Sequence, residues 1–512
     1  MNRRTALFLV AAFAFAGCHT PQPSAPTDRA GFPDRPEKLK FPPLKYEPPS
    51  PADFRVQLRS GPVAYLAPDR ELPLVSISVH VRTGDYVAPR GKEGITDLCG
   101  YLLTKGGINS KTAEQLDERL AFLAANLNSS IGDTQGSVSL NLLSKDLDEG
   151  LAILRETLTE PRFQEDKIAL RKQQLLQSMA QRNDDSAGIE FRERRILAYG
   201  EKFWINQLAT KASVEAVKRD DLVKFHRDWF HPANFIVTAS GDFDRAAMLK
   251  KLEALFANWP FKGKPAPKVP GGGQLAAPGA YVVDKEVNQG RVSVLLPGIT
   301  REDPDYFAAT MMNDILGGGG FSSRLVNRVR SEEGLAYSAF SAVQPGIYYS
   351  QPIIAGFQSK SRTVSYAISL VLDEMKKLAG EPVTAEELNT AKKSFTETFP
   401  RSFATKAQIV GTFAQDEFTG RYAKEPDYWK NYRAKIEAVT AADVLRVAKR
   451  LLKPDQAAIL VVGEKKDILL GHPNHPVSLP SLVKKDLVDV PLRDPMTLKP
   501  LATTPVAEKA AK

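Results

Sequence analysis

Two cysteines in 512 residues leave no room for a disulfide framework. Cys18 and Cys99 could form one bridge at most. Long hydrophobic runs are missing as well: the apolar stretch at residues 6–16 is too short to span a bilayer. No block of clustered Lys or Arg accompanies the formal net charge of +9. That mild excess describes a solvated surface and argues against nucleic-acid binding. The four consecutive glycines at 317–320 lack the Lys-Ser/Thr that would follow in a phosphate loop, which removes a nucleotide site. What remains is an ordinary globular composition, 43% hydrophobic and 25% charged, on a chain too long for a single core.

The N-terminus reads as a targeting segment. Arg3 and Arg4 precede the apolar run, which ends in Phe15-Ala16-Gly17-Cys18. This resembles a bacterial lipoprotein signal, cut before the Cys that becomes lipid-modified. Residues 1–17 are then the signal peptide and Cys18 is the lipidation site. His19 after Cys18 directs the anchor to the outer membrane, facing the periplasm of the bacterial cell envelope. Acylated Cys18 leaves Cys99 alone, a small buried hydrophobe with no His near it in sequence. Nine prolines at 21–50 make residues 18–51 an extended tether.

The body follows an α+β order. Val75, Ile77, Val79 and Val81 alternate with polar residues as a strand with one buried face, which puts His80 on the polar surface. Helices are predicted at 93–105, 111–126, 164–181 and 186–200, a strand at 136–143, and a helical face at Leu147, Leu151, Leu154 and Leu158. His226 and His231 read as surface histidines near a helix end. Prolines and glycines between Pro260 and Pro278 mark a linker at 259–279. A second body follows, 280–465, and then a Pro- and Lys-rich tail at 466–512, loosely docked or disordered, in which His472 and His475 have no metal partners. The bodies at 52–258 and 280–465 are repeats. Glu215-Ala216-Val217 recurs as Glu437-Ala438-Val439, and PANFIVTASG from Pro232 recurs as PDQAAILVVG from Pro454, both at an offset of 222.

Two segments carry chemistry. Residues 94–107 read GITDLCGYLLTKGG, and residues 316–338 read LGGGGFSSRLVNRVRSEEGLAYS. The first resembles the frame of the G-x-x-H-x-x-E-H segment of the insulinase/pitrilysin (M16) metallopeptidases. In that family the two His hold Zn²⁺ and the Glu activates water, one helical turn apart. Here Asp97, Gly100 and Tyr101 occupy those places. The family's third ligand is a Glu on a later helix, and its spacing counted from Tyr101 lands on Ser178. One Asp is no zinc site, so no metal and no catalytic residue is expected in this chain. Asn128-Ser129-Ser130 stands at the family's substrate-pairing edge strand, and a structural role is expected for it here. The second segment is similar to the family's glycine-rich signature and is nearly intact.

The resemblance covers about residues 52–465. It implies two homologous halves, each a mostly antiparallel sheet covered by helices, joined by a linker in a clamshell around a chamber. It also implies that Arg330 and Tyr337 bind the substrate backbone or the carbonyl under attack, as two donors of an oxyanion hole. Gly317, Gly318, Gly319 and Gly320 would form a flexible loop beside them. The chain is then expected to be inactive alone and to act as the substrate-binding subunit of a heterodimer. Zn would sit in a zinc-bearing M16 partner, and a peptide would be the substrate. The other reading is a lipid-anchored structural or peptide-binding pseudopeptidase with no catalytic partner.

Overall fold

The computed structural model describes residues 45–502, together with Arg35, Lys38 and Leu39. Cys18 and the signal segment lie outside the described residues. The chain divides between Tyr46 and Glu47, and the sheets and helices all belong to the unit that begins at Glu47.

Among the described residues, twelve strands build two six-stranded sheets. The first half holds β1 (Arg55–Gln57), β2 (Val63–Pro68), β3 (Leu74–Val81), β4 (Asn126–Ile131), β5 (Gly136–Leu143) and β6 (Phe235–Gly241), in the order β1-β2-β6-β3-β5-β4. The second holds β7 (Gly279–Asp284), β8 (Gln289–Leu296), β9 (Ala336–Ala342), β10 (Ile353–Lys360), β11 (Ala458–Gly463) and β12 (Val488–Asp489), in the order β12-β7-β11-β8-β10-β9. Without β1 and β12 the two orders are the same path traced twice. Only β2 with β6, and β7 with both β11 and β12, pair in parallel. The fold is α+β, with two mostly antiparallel sheets covered by helices.

The principal helices are α1 (Ile95–Lys105), α2 (Ala113–Phe122), α3 (Leu147–Thr159), α4 (Glu165–Ala180), α5 (Ser186–Tyr199), α6 (Arg219–Trp229) and α7 (Arg245–Phe256) in the first half. The second half adds α8 (Tyr306–Asn313), α9 (Val364–Gly380), α10 (Ala385–Thr396), α11 (Lys406–Thr419), α12 (Tyr428–Glu437) and α13 (Ala441–Leu451). The helix expected at 111–126 stops at Phe122: Ala124 turns with φ +47 and Asn126 already belongs to β4. Thr112 and Gln115 form the capping box that starts α2.

The recurring decapeptides are β6 and β11, the interior strands at the parallel junction of each sheet. They are buried on both faces because each half lends a helix to the other. The second-half helix α11 packs on β2 and β6, and the first-half helix α5 packs on β8 and β11. Both are 14 residues long. Their polar residues bond across the crossing. Glu417 accepts from Arg55 Nε at 2.9 Å, Arg55 Nη2 at 3.1 Å and Tyr65 Oη at 2.9 Å. Glu190 accepts from Ser293 Oγ at 2.5 Å.

Several expectations are corrected. His226 and His231 are buried, not surface, residues. His226 Nε2 meets the Leu158 carbonyl at 3.0 Å and its ring stacks on Phe230, and burial lowers its pKa to about 3. His231 Nε2 meets the Lys264 carbonyl at 2.7 Å, in the linker that closes over it. His80 is half-buried against Gln135, and burial lowers its pKa. The tail, as far as residue 502, is firmly docked. β12 extends the second sheet, and Arg493 returns to the first half to pair with Glu193 and Glu201. His475 stacks on Tyr366 at 3.8 Å, with His472 beside it. Cys99 is fully buried as expected, and burial pushes its thiol up.

Candidate functional site

Helix α1 carries the degenerate motif. Its apolar residues Ile95, Leu98, Leu102 and Leu103 are fully buried, which turns Asp97 and Tyr101 toward α4. There the face is already occupied. Arg171 of α4 donates from Nε at 2.9 Å and Nη2 at 2.7 Å to Asp97 Oδ1, and its guanidinium lies 4.3 Å from the centre of the Tyr101 ring. A fixed cation thus stands between the two positions that in the family hold a metal ion. Asp97 and Ser178 line one cleft of about 750 Å³, as the resemblance implies, but Ser178 brings no carboxylate to it.

Gly100 points the other way, at the edge strand β4. A Cβ there would lie 2.6 Å from Ile131 N and 3.1 Å from Ser130 C. Ser129 Oγ donates to the Gly100 carbonyl at 2.5 Å. The expected structural role of 128–130 is therefore a docking surface for α1. Among the described residues no group of three or more His, Cys, Asp and Glu could hold a metal ion. The residues present do not fit zinc: one ligand is spoken for by arginine, one position is a tyrosine under that arginine, and one has no side chain.

The second half repeats this docking without any trace of a metal motif. Helix α8 sits between β8 and β9 as α1 sits between β3 and β4. It runs into a wide π-type turn, Asp314–Gly318, where a Cβ on Gly317 would strike Ser341 N and Phe340 C of β9. The expected flexible loop is thus shorter than four residues. Gly317 is buried and Gly318 completes the turn; Gly319 alone connects it to a 3-10 turn, Gly320–Ser322, which Gly320 enters at φ +63.

A second π-type turn, Val326–Glu332, carries Arg330; such turns recur at functional sites. Leu325 and Val329 are fully buried and anchor it, and Arg324 pins it to Glu387 through bonds of 2.7 and 3.0 Å. Arg330 is left facing outward. Its guanidinium stands 4.6 Å from the Phe321 ring centre and 4.8 Å from that of Tyr337. Phe321 is 72% exposed and Tyr337, near the start of edge strand β9, is 85% exposed. Neighbouring Arg328 is paired with Glu332 and Glu333, whereas no described carboxylate lies within ion-pair range of Arg330. Two rings orient the guanidinium by cation–π contact while its planar fork stays open to an acceptor.

The structure thus brings Arg330 and Tyr337 together, and Asp97 with Ser178. It adds two residues that motif reading missed. Phe321 lies inside the motif. Arg171 could have been found, because it precedes Ser178 by two helical turns and so shares its face of α4.

The profile described as "Insulinase (Peptidase family M16)" matches residues 65–202, and "Peptidase M16 inactive domain" matches residues 216–395. Together they span more than half of the chain. An "Uncharacterized zinc protease" of Rickettsia bellii is 24% identical over 407 residues, covering 76% of this chain and 92% of that protein. "Non-peptidase homolog YmxG" of Helicobacter pylori is 26% identical over 331 residues, 63% of this chain and 74% of its own. The crystal structure of a peptidase M16 inactive domain from Pseudomonas fluorescens superposes with a TM-score of 0.70 at 23% identity, covering 80% of this chain and 97% of that one. On both halves of its fold, the chain belongs to the insulinase family of peptidases, M16.

Proposed function

We propose that the chain is the non-catalytic, substrate-gripping subunit of a two-chain M16 peptidase, tethered to the outer membrane through Cys18 and paired with a zinc-bearing subunit of the same family. The supporting observation is the contrast between its two motifs. Arg171 fills the metal face of α1, while Tyr337 stands exposed with the half-buried Arg330 beside it, neither with an acid partner among the described residues. A relative named as a non-peptidase homolog is in keeping with this reading.

In the pair, the partner's metal and its Glu would supply the activated water. This chain's part is to hold the peptide. The Arg330 guanidinium donates to a backbone carbonyl oxygen, and Tyr337 Oη donates to the same or an adjacent acceptor. Donors aimed at an oxygen that gains charge are worth roughly 10²–10³ in rate each. Phe321 and Tyr337 keep the guanidinium in register before the peptide arrives, which lowers the ordering cost of binding.

The test is Arg330→Ala in the co-purified pair. Peptidase activity should fall about a hundredfold while the complex elutes intact. Full activity in that variant overturns the proposal. Loss of the complex itself would instead favour a structural role for the segment.

A further inference from the structure

Where the halves meet, a pocket of about 350 Å³ opens between α5, the tip of the β4–β5 hairpin and the loop joining β9 to β10. Its walls are aromatic. Phe191 and Tyr199 come from α5, and Tyr348 and Tyr349 come from the loop. Tyr199 and Tyr349 meet edge to face at 5.5 Å, with Phe203 packed against Tyr349 at 5.3 Å. These rings are braced by one another, so they shape the pocket without filling it. Phe191 is 50% exposed and Ile347 is 39% exposed, a contiguous apolar lining of the kind that marks binding sites.

Two arginines border the same lining, with guanidinium carbons 5.3 and 5.4 Å from the Phe191 ring centre. Arg194 is committed to Glu190 at 2.7 Å. Arg195 has no such close partner. One of its amines donates to the Ile205 carbonyl, and Asp133 stands 3.9 Å away. Its Nε–H is buried and has no acceptor among the described residues.

The pocket also reaches the strand of the proposed peptide grip. Ala342 lines it, and Ala342 ends the strand that carries Tyr337. Five residues of extended chain separate them, about 17 Å.

We propose that this pocket receives an aromatic side chain of the bound peptide, and that Arg195 takes a carboxylate beside that side chain. The inference rests on the reading of Arg330 and Tyr337 as the peptide grip. It adds a substrate class: an aromatic residue next to an acidic side chain or a free C-terminus, about five residues from the segment held by Tyr337. Phe191 and the tyrosines select the ring, and Arg195 selects the charge.

The test uses the full chain and fluorescein-labelled synthetic peptides, with affinity read by anisotropy. One series carries Phe-Asp, Ala-Asp or Phe-Asn; a second ends in Phe as a free acid or as an amide. Phe-Asp should bind about tenfold more tightly than Ala-Asp or Phe-Asn, and the C-terminal pair tells which carboxylate serves. Phe191→Ala should erase the preference for Phe, and Arg195→Met the preference for Asp. Arg330→Ala should weaken every peptide alike and keep both preferences. If all peptides bind equally, respond to Arg330→Ala and ignore Phe191→Ala, the pocket assignment is wrong and the grip stands. If no peptide binds at millimolar concentration, the grip fails and the pocket with it. Should Arg195→Met not fold, the peptide series on the unaltered chain still decides.

Discussion

Replacing Gly100 by alanine tests how the metal helix is docked. A Cβ there meets Ile131 N at 2.6 Å, Ser130 C at 3.1 Å and Ser130 Cα at 3.2 Å, all backbone atoms. Ser130 and Ile131 pair with Ser137 and Gly136 of β5, so β4 cannot step aside without stretching its ladder. Two terms compete. Alanine is the better helix former by about 1 kcal/mol, and overpacking of this kind costs about 1–3 kcal/mol. With backbone on the opposing side the upper part of that range applies, which leaves a net loss of about 1–2 kcal/mol. Gly411 of α11 is the control, because a Cβ there meets nothing within 4 Å. Gly411→Ala should therefore gain up to about 1 kcal/mol. Denaturant midpoints at unchanged slope would measure both variants, and amide exchange in β4 would locate the damage. If Gly100→Ala is as stable as Gly411→Ala, the close approach of α1 to β4 is wrong and a glutamate could return there. If the approach is right, restoring His, Glu and His at 97, 100 and 101 does not restore the water-activating carboxylate, because β4 stands where the Glu must begin.

Three further perturbations probe contacts far from the motifs. Glu417→Gln removes the negative charge and one of the two acceptor oxygens that hold Arg55 and Tyr65 to α11, and should cost about 1–3 kcal/mol in thermal or denaturant unfolding. Burial alone would raise the Glu417 carboxyl; donors from Arg55 and Tyr65 outweigh it and hold the pKa low. His226 is held neutral in the fold, with its pKa lowered from 6.5 to about 3 by burial. The unfolded chain therefore takes up the proton first, so this contribution is complete above pH 6.5 and is lost as pH falls toward 3. Between pH 7.5 and 5 the loss is about 2 kcal/mol, and His226→Gln, which retains a donor for the Leu158 carbonyl, should flatten it. Arg493→Ala should release the returning tail, seen as faster amide exchange at Lys211, whose N–H bonds to the Met496 carbonyl at 2.8 Å.

Much of the architecture was legible because it rests on periodicity. The alternation at 75–81 is a strand whose valines and isoleucine are fully buried. The offset repeat picked out β6 and β11, the two most enclosed strands of the fold. The misreadings share a cause, which is burial supplied from far along the chain. His226 and His231 bond to carbonyls 68 and 33 residues away, and nothing in their local sequence announces those partners. The tail has the composition of a disordered segment. It is ordered to residue 502 because β7 offers a free edge and because Arg182 and Asn183 of the other half bond its backbone at Pro495 and Arg493. At the candidate site, the loss of ligands at Asp97, Gly100 and Tyr101 was visible as residue types. That a cation from α4 closes the vacated face, and that the helix is pressed onto β4, depends on contacts between elements distant in sequence, which residue types alone do not reveal.

Metal content tests the central claim most directly. The purified full chain would be equilibrated with Zn²⁺, desalted, and measured by elemental analysis. With Arg171 bonded to Asp97 and no second or third ligand beside it among the described residues, the chain should retain below about 0.1 equivalent of zinc. One equivalent of zinc, retained through desalting and lost on Asp97→Ala, would contradict the account.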